Sequence, residues 1–246
     1  MTPNQITVLR VLLAFLAVAL FAAERSGIGP HPGLSLVALA LTILAISLDA
    51  VDGYVARRKH LATPLGAQLD ILGDRVIENL FLTYFAVSGL LSVWVPVVFF
   101  VRGTSTDFIR GLAAQEGREG FGRNGMLETW WGRALVASRA SRAAYAVLKC
   151  VCFCYLGAQL ALGSGTLSGL VSWDLRAFIP EMIVFGQVLV ILTVAFCLVR
   201  GLPVLWEGRR YLQRLGASHL LKDVSASSLR AGVYPERMRR VGADAR

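Results

Sequence analysis

Four aspartates are the residues of this sequence whose spacing most directly suggests chemistry. Asp49 and Asp52 lie three positions apart, and Asp70 and Asp74 lie four positions apart. In an α-helix either spacing places both side chains on one face, about one turn from each other. The sequence therefore predicts two helices that each present a pair of carboxylates.

Carboxylates arranged in this way need a cation. Four of them in a low-dielectric site repel one another and take up protons unless a positive charge holds them. Because the candidate ligands are all carboxylates, without His or Cys, they favour Mg²⁺, Mn²⁺ or Ca²⁺ over zinc. A pair of such ions can clamp a pyrophosphate while one carboxylate accepts the proton of the nucleophile. The pattern predicts phosphoryl-type transfer.

Composition places these aspartates in a membrane. Of the 246 residues 55% are hydrophobic and 17% are charged, and the mean hydropathy is +0.59, which is too apolar for an ordinary soluble domain. A helix needs about 20 apolar residues to cross a bilayer. We predict an all-α membrane protein with six transmembrane helices, from the apolar runs at 8–23, 34–48, 69–91, 93–114, 143–162 and 179–205.

Basic residues predict the orientation of the bundle. They are concentrated in the loop after the second run, in the loop before the fifth run and beyond residue 205. Because cytoplasmic loops carry an excess of Lys and Arg, we expect a multi-pass protein of the cell membrane with both termini in the cytoplasm. The same rule accounts for the net charge of +9, so nucleic-acid binding is not expected.

The short loop between the second and third runs places the four aspartates together. Two helices joined in this way are antiparallel neighbours, so we expect the active site at the cytoplasmic edge of the bundle. Residues 1–205 are predicted to form one membrane domain, and residues 206–246 a basic cytoplasmic tail.

Small residues accompany the first pair of aspartates. Gly53 and Ala56 lie on or beside the face that carries Asp52, where their lack of bulk would let a nucleotide approach the helix backbone. Arg57 supplies a planar fork for a phosphate. The alternative is that glycine and alanine only permit close helix packing, which is common in membranes.

The whole stretch from Asp49 to Asp74 follows the pattern D-x2-D-G-x2-A-R-x8-G-x3-D-x3-D. Eight fixed residues match by chance about once in 10¹⁰ starting points if each residue type occurs about once in twenty. The sequence closely resembles the CDP-alcohol phosphotransferase family (class I CDP-alcohol phosphatidyltransferases), which has this pattern as its signature. Six spans and an N-terminal Asn4-x2-Thr7-x2-Arg10 stretch are similar too.

The resemblance implies an enzyme of phospholipid synthesis, of the EC 2.7.8 type. It would transfer a phosphatidyl group from a CDP-linked donor, usually CDP-diacylglycerol, to an alcohol and release CMP. It implies two divalent cations, Mg²⁺ or Mn²⁺, with Asp74 also as the catalytic base. The implied metal ligands are Asp49, Asp52, Asp70 and Asp74, and the implied CDP-binding residues are Asn4, Thr7, Arg10, Gly53, Ala56, Arg57 and Gly66.

Arginines suggest the acceptor. Arg102 and Arg110 lie in the apolar fourth run, where ionisable groups usually mark function, and Arg139 and Arg142 enter the fifth run. They suit a phosphorylated alcohol such as glycerol 3-phosphate, with inositol phosphate or another alcohol as the alternative. Family members that use glycerol 3-phosphate usually carry Arg-Glu and Gly-Lys-x-Lys-Thr, where this sequence has Arg-Gly at 102–103 and Ser-Arg-Ala-Ser-Arg at 138–142.

Three alternatives stand beside these assignments. Arg102 could instead pair with Asp74 or Asp107, and Arg110 could extend to the membrane interface. The orientation rule alone also predicts arginines in the loop before the fifth run. A membrane transporter that uses the acidic cluster as an ion site is the rival from another class.

Partners follow from the same features. The expected partners are CDP-diacylglycerol, a small alcohol, membrane lipids and a second copy of the chain. In a homodimer the apolar third and fourth spans would supply the interface.

Overall fold

The protein is all-helical over the residues that the computed structural model describes. These are 3–27, 33–58, 64–118, 125–163 and 179–230, with side chains described at 4–27, 33–48, 65–118, 125–163 and 180–213. Within these ranges no strand occurs. Six long helices follow the six apolar runs: α1 Pro3–Arg25, α2 Leu34–Arg58, α3 Pro64–Val87, α4 Trp94–Gln115, α6 Arg139–Gly163 and α7 Ile179–Arg230.

Three of these helices are long and apolar enough to cross a membrane, at Asn4–Arg25, Arg139–Gly163 and Pro180–Gln213. The apolar part of α2, Leu34–Leu48, is shorter. Charged residues interrupt the other two long helices: Asp70, Asp74, Arg75 and Glu78 in α3, and Arg102, Asp107 and Arg110 in α4. Among the residues that the structure describes, three of the six predicted spans are therefore long and apolar enough to cross a membrane, and α2, α3 and α4 are not.

An aromatic core fixes the half of α3 that is remote from Asp70 and Asp74. Phe81 and Phe85 are fully buried, and both rings contact the ring of Phe153 on α6, with centroids 6.1 and 6.2 Å away. Large apolar side chains such as Leu12 and Ile191 are instead more than half exposed. This distribution suits helices that pack on one side and meet lipid on the other.

The connection from α3 to α4 makes these helices antiparallel neighbours. Gly89 has a φ of 83°, a left-handed conformation that glycine adopts without steric cost. Its N–H bonds to the Ala86 carbonyl, and the Leu90 N–H bonds to the Phe85 carbonyl, each at 3.0 Å. These two bonds form a Schellman motif, which ends α3 and reverses the chain.

The last helix does not end where its apolar run ends. The predicted tail begins after residue 205, whereas α7 continues to Arg230. Val204 and Tyr211 of this helix pack with Ile109 of α4 and with Met126 and Val136. The last two belong to the segment between α4 and α6, which contains the one-turn helix α5 (Trp130–Gly132) and a π-helix (Arg133–Ala137). Tertiary contacts therefore support the helix beyond its apolar part.

Two buried groups of α7 hold this segment and α4 in place. The Glu207 carboxylate is 1% exposed and accepts hydrogen bonds from the Glu128 N–H at 2.6 Å and from the Thr129 hydroxyl. At Gly208 an added Cβ would lie 2.4 Å from Ile109 Cγ2. Only glycine permits this approach of α7 to α4.

Gly208→Ala is expected to destabilise the protein by about 1–3 kcal/mol, because overpacking a buried contact forces side chains from their preferred rotamers. Ile109 is β-branched and cannot move its Cγ2 independently of its Cβ. The measurement is the thermal unfolding midpoint in detergent.

Gly111→Ala is the matched control, since a Cβ at Gly111 on α4 would meet nothing within 4 Å. It should leave the midpoint unchanged or raise it, as alanine favours helix by about 1 kcal/mol over glycine. Equal midpoints for the two variants would contradict the close approach.

Candidate active site

The residues of the aspartate pattern lie on two helices. Asp49, Asp52, Gly53, Ala56 and Arg57 occupy the last turns of α2, and Gly66, Asp70 and Asp74 occupy the first three turns of α3. The side chains at 49–58 lie outside the described residues. Among the side chains that are described, no group of three or more His, Cys, Asp or Glu could hold a metal ion.

Arg10 of α1 links the three helices around the pattern. Its Nη2 donates to Asp74 Oδ1 at 2.8 Å, its Nη1 donates to Asp70 Oδ1 at 3.3 Å, and its Nε donates to the carbonyl of Ala45 on α2 at 3.4 Å. The Arg10 side chain is 3% exposed, whereas those of Asp70 and Asp74 are 48% and 41% exposed. One face of each carboxylate is thus held by the protein while the other stays accessible.

The other two predicted residues of α1 lie on the same side of that helix as Arg10. Thr7 is buried and Asn4 is half-buried. A Cβ added at Gly73 of α3 would lie 2.8 Å from Thr7 Cγ2, so α1 and α3 touch at a position between Asp70 and Asp74. The aspartate pattern leaves Gly73 unspecified, and sequence analysis missed its role.

The charged residues of α4 have different partners from those considered in the sequence. Asp107 accepts from Arg75 Nε at 2.6 Å and from Arg110 Nη1 at 3.2 Å. The Arg75 Nη1 also donates to Glu78 at 2.7 Å. Asp107 therefore pairs with Arg75 and Arg110 rather than with Arg102. Arg110 binds Asp107 one turn away on its own helix. Arg75 was missed, although it directly follows Asp74.

Two guanidinium groups flank the ring of Tyr145 on α6. The Arg102 Cζ lies 6.0 Å and the Arg200 Cζ 5.5 Å from the ring centroid, within range of a cation–π interaction. Both arginines are less than a tenth exposed. In the described part of the chain neither Nε has a hydrogen-bond partner.

Arg200 of α7 is a functional candidate that sequence analysis missed. Its guanidinium donates to the carbonyl of Leu135 at 3.0 Å, to that of Val136 at 3.3 Å and to the Ser141 hydroxyl at 2.6 Å. It thus binds the π-helix, a rare element that often occurs at functional sites. A lone arginine inside an apolar run was the available signal.

Four arginines come together near these contacts, and we call them the basic cluster: Arg102, Arg110, Arg142 and Arg200. Arg200 interacts electrostatically with each of the other three. Arg139 lies on the first turn of α6 and is exposed. The basic cluster thus contains three of the four arginines that were predicted to bind the acceptor. Its fourth member, Arg200, was not predicted. Neighbouring positive charges in a low-dielectric environment favour the binding of an anion.

Gly73→Ala is expected to lower the free energy of unfolding by about 1–3 kcal/mol, because the new methyl group overlaps Thr7 Cγ2. Thr7→Ser removes that methyl and keeps the hydroxyl, so it should restore most of the loss in the double variant. The thermal unfolding midpoint measures each of the three variants. A double variant as unstable as Gly73→Ala alone would show that the two residues do not meet.

Comparison with known proteins identifies related sequences. A sequence profile described as CDP-alcohol phosphatidyltransferase matches residues 1–199. A CDP-diacylglycerol–glycerol-3-phosphate 3-phosphatidyltransferase of Bacillus subtilis is 31% identical over 136 residues, which cover 52% of this chain and 70% of the relative. The enzyme of the same name from Pseudomonas fluorescens is 32% identical over 137 residues, 55% of this chain and 66% of the relative.

A third relative is named for a different product. An archaetidylinositol phosphate synthase of Aeropyrum pernix is 32% identical over 111 residues, covering 45% of this chain and 55% of the relative. The family transfers a phosphatidyl group from a CDP-alcohol to an alcohol acceptor. Since its profile covers most of the 246 residues and the aspartate pattern is complete, this chain belongs to the CDP-alcohol phosphatidyltransferase family.

Proposed function

We propose that this protein transfers the phosphatidyl group of CDP-diacylglycerol to the hydroxyl of a small phosphorylated alcohol and releases CMP, with glycerol 3-phosphate as the favoured acceptor. This proposal rests on one observation: two groups of charged residues lie close together. Asp70 and Asp74 lie on the face of α3 held by Arg10, and Arg75, the next residue, leads through Asp107 to Arg110 of the basic cluster. A carboxylate that can take a proton thus lies beside a site that prefers an anion.

Two divalent cations, Mg²⁺ or Mn²⁺, are proposed to bind the four motif carboxylates Asp49, Asp52, Asp70 and Asp74. The two described ligands fit this role because they supply oxygen donors one turn apart and are about half exposed. Ala45, whose carbonyl Arg10 contacts, precedes Asp49 by one turn of α2. When bound, such ions neutralise charge on the pyrophosphate of the donor.

Asp74 is the proposed general base. In the proposed reaction the acceptor hydroxyl oxygen attacks the phosphatidyl phosphorus, and a new P–O bond forms as the P–O bond to CMP breaks. Asp74 takes the hydroxyl proton, and CMP leaves. Arg10 keeps Asp74 Oδ1 fixed at 2.8 Å, so the second oxygen is free to face the acceptor. The proposed CDP-binding residues are Asn4, Thr7, Arg10, Gly53, Ala56, Arg57 and Gly66.

The basic cluster supports an acceptor that carries a phosphate. Within the described residues the Nε atoms of Arg102 and Arg200 have no hydrogen-bond partner, and charge-assisted bonds to phosphate are the strongest of their class. Inositol phosphate satisfies the same chemistry and remains the alternative acceptor, as the archaeal relative's name indicates for that protein.

The proposed setting is the cell membrane, crossed six times, with both termini and the active site on the cytoplasmic side. Paired charges support inclusion of α3 and α4, because Asp107 and Glu78 meet cations inside the bundle rather than lipid. A homodimer through α3 and α4 is also proposed. It is supported by the exposed apolar side chains of α4, Val97, Phe100, Val101 and Phe108.

The decisive experiment follows CMP release from CDP-diacylglycerol by purified protein with Mg²⁺ or Mn²⁺. The acceptors are glycerol 3-phosphate, inositol phosphate, inositol, serine and phosphatidylglycerol. We expect release only with a phosphorylated alcohol, and its loss in Asp74→Asn. If the wild-type protein releases no more CMP than the Asp74→Asn variant with every acceptor, the transferase assignment is wrong. That result would favour the transporter alternative.

Arg102→Gln tests the acceptor site. It should raise KM for the phosphorylated acceptor by about 10- to 100-fold, since a hydrogen bond to a charged group contributes roughly 1.5–3 kcal/mol. KM for CDP-diacylglycerol should not change. Arg209→Gln is the control, because Arg209 instead stacks on the exposed ring of Trp206 at 4.2 Å. An unchanged acceptor KM in Arg102→Gln would remove Arg102 from this site.

A further inference from the structure

Five charged side chains form an unbroken alternating row across three helices, and we call it the ion-pair chain: Lys149, Glu78, Arg75, Asp107 and Arg110. Lys149 Nζ lies 3.4 Å from Glu78 Oε1, and Arg75 Nη1 lies 2.7 Å from Glu78 Oε2. Arg75 Nε lies 2.6 Å from Asp107 Oδ2, and Arg110 Nη1 lies 3.2 Å from Asp107 Oδ1. Every member contacts a charge of the opposite sign.

Glu78 joins the parts of the ion-pair chain that lie on different helices. It lies on α3 one turn after Asp74, and its side chain is 2% exposed. One oxygen faces Arg75 of its own helix, which reaches Asp107 of α4, and the other faces Lys149 of α6. The turn of α3 that follows Asp74 is therefore tied on one side to α4 and on the other to α6.

The same two helices carry three arginines of the basic cluster. Arg102 and Arg110 lie on α4, and Arg142 lies two turns before Lys149 on α6. Lys149 also interacts electrostatically with Asp74 itself. The distance from Asp74 to these arginines thus depends on how α3 is held against α4 and α6. The ion-pair chain connects these three helices.

Stability alone gives a weak reason for such a row. Replacing a buried ion pair by apolar residues is often neutral or stabilising, because desolvation offsets the attraction between the charges. What buried pairs supply in the best-attested cases is a fixed register between elements. Group transfer is sensitive to register, since a displacement of about 1 Å can slow a reaction about 100-fold.

We propose that Glu78 is a positioning residue, which holds Asp74 at its working distance from the acceptor-binding arginines by joining Arg75 and Lys149. This inference rests on the proposed function, in which Asp74 takes the proton of an acceptor bound by the basic cluster. Glu78 contacts neither substrate. It acts through the relative placement of α3, α4 and α6.

The test measures kcat and both KM values with CDP-diacylglycerol and glycerol 3-phosphate. Glu78→Gln should lower kcat at least 10-fold and raise KM for the acceptor, while KM for the donor stays within about 2-fold, because the donor contacts lie on α1, α2 and the start of α3. Glu128→Gln is the matched control, since Glu128 also pairs with an arginine, Arg210, but is 56% exposed. It should leave all three constants unchanged.

A double variant separates positioning from charge balance. Glu78→Gln alone leaves Lys149 without its carboxylate, which by itself could disturb folding. Glu78→Gln combined with Lys149→Gln removes both charges, so the protein should keep its unfolding midpoint yet remain at least 10-fold slow. Recovery of the wild-type kcat in the double variant would overturn the proposal, because Glu78 would then only balance the charge of Lys149.

The outcome is also distinguishable from failure of the proposed function. If the wild-type protein releases no CMP with any acceptor while Asp74→Asn behaves identically, the proposed function fails. If the wild-type protein is active and Glu78→Gln matches it within 2-fold in kcat and acceptor KM, only the positioning role of Glu78 is wrong.

Discussion

A charge inside a bundle of apolar helices must meet an opposite charge or a dipole, and this constraint organises the polar half of the molecule. Arg10 satisfies it by reaching Asp70, Asp74 and a carbonyl of α2. Glu78 satisfies it with Arg75 and Lys149. Each solution includes a partner on another helix, and Arg75 itself reaches Asp107 of α4, so the placement of α1, α4 and α6 around α3 is partly a consequence of where α3 carries charge.

The two halves of α3 differ in packing and exposure. Its second half buries Phe81 and Phe85 against α6, and the contacts there are aromatic and tightly packed. Its first half carries Asp70 and Asp74, which stay about half exposed. Dense packing resists displacement, so one end of the helix is anchored while the other presents carboxylates to solvent-accessible space. A site that must admit two substrates and hold its reacting groups still benefits from this division.

The segment between α4 and α6 is held by two charged residues of α7. Its π-helix directs the carbonyls of Leu135 and Val136 to Arg200, and the buried carboxylate of Glu207 holds the residues just before α5. Both partners belong to α7. The described end of this connection is thereby fixed where it enters α6, and the arginines at the start of α6 are placed relative to those of α4.

The sequence by itself determined the family, the six long helices and the pairing of aspartates on α2 and α3. Periodicity and spacing act along one chain segment, and the fixed residues of the pattern are too many to coincide by chance. The family prediction is confirmed by the profile match over 1–199. The sequence also predicted a role for Arg102, because a charge in an apolar span is costly, but it did not predict which side chains Arg102 contacts.

Only the tertiary structure decided which charges meet. Asp107 had Arg102 as an apparent partner five residues away, but the chain reversal at Gly89 brings Arg75 to it instead. Arg200 is 65 and 64 residues along the chain from Leu135 and Val136, whose carbonyls it binds, and Gly73 matters only because α1 passes beside it. The physical reason is common to all three. A hydrogen bond or a steric contact depends on distances between helices, which local sequence patterns do not encode.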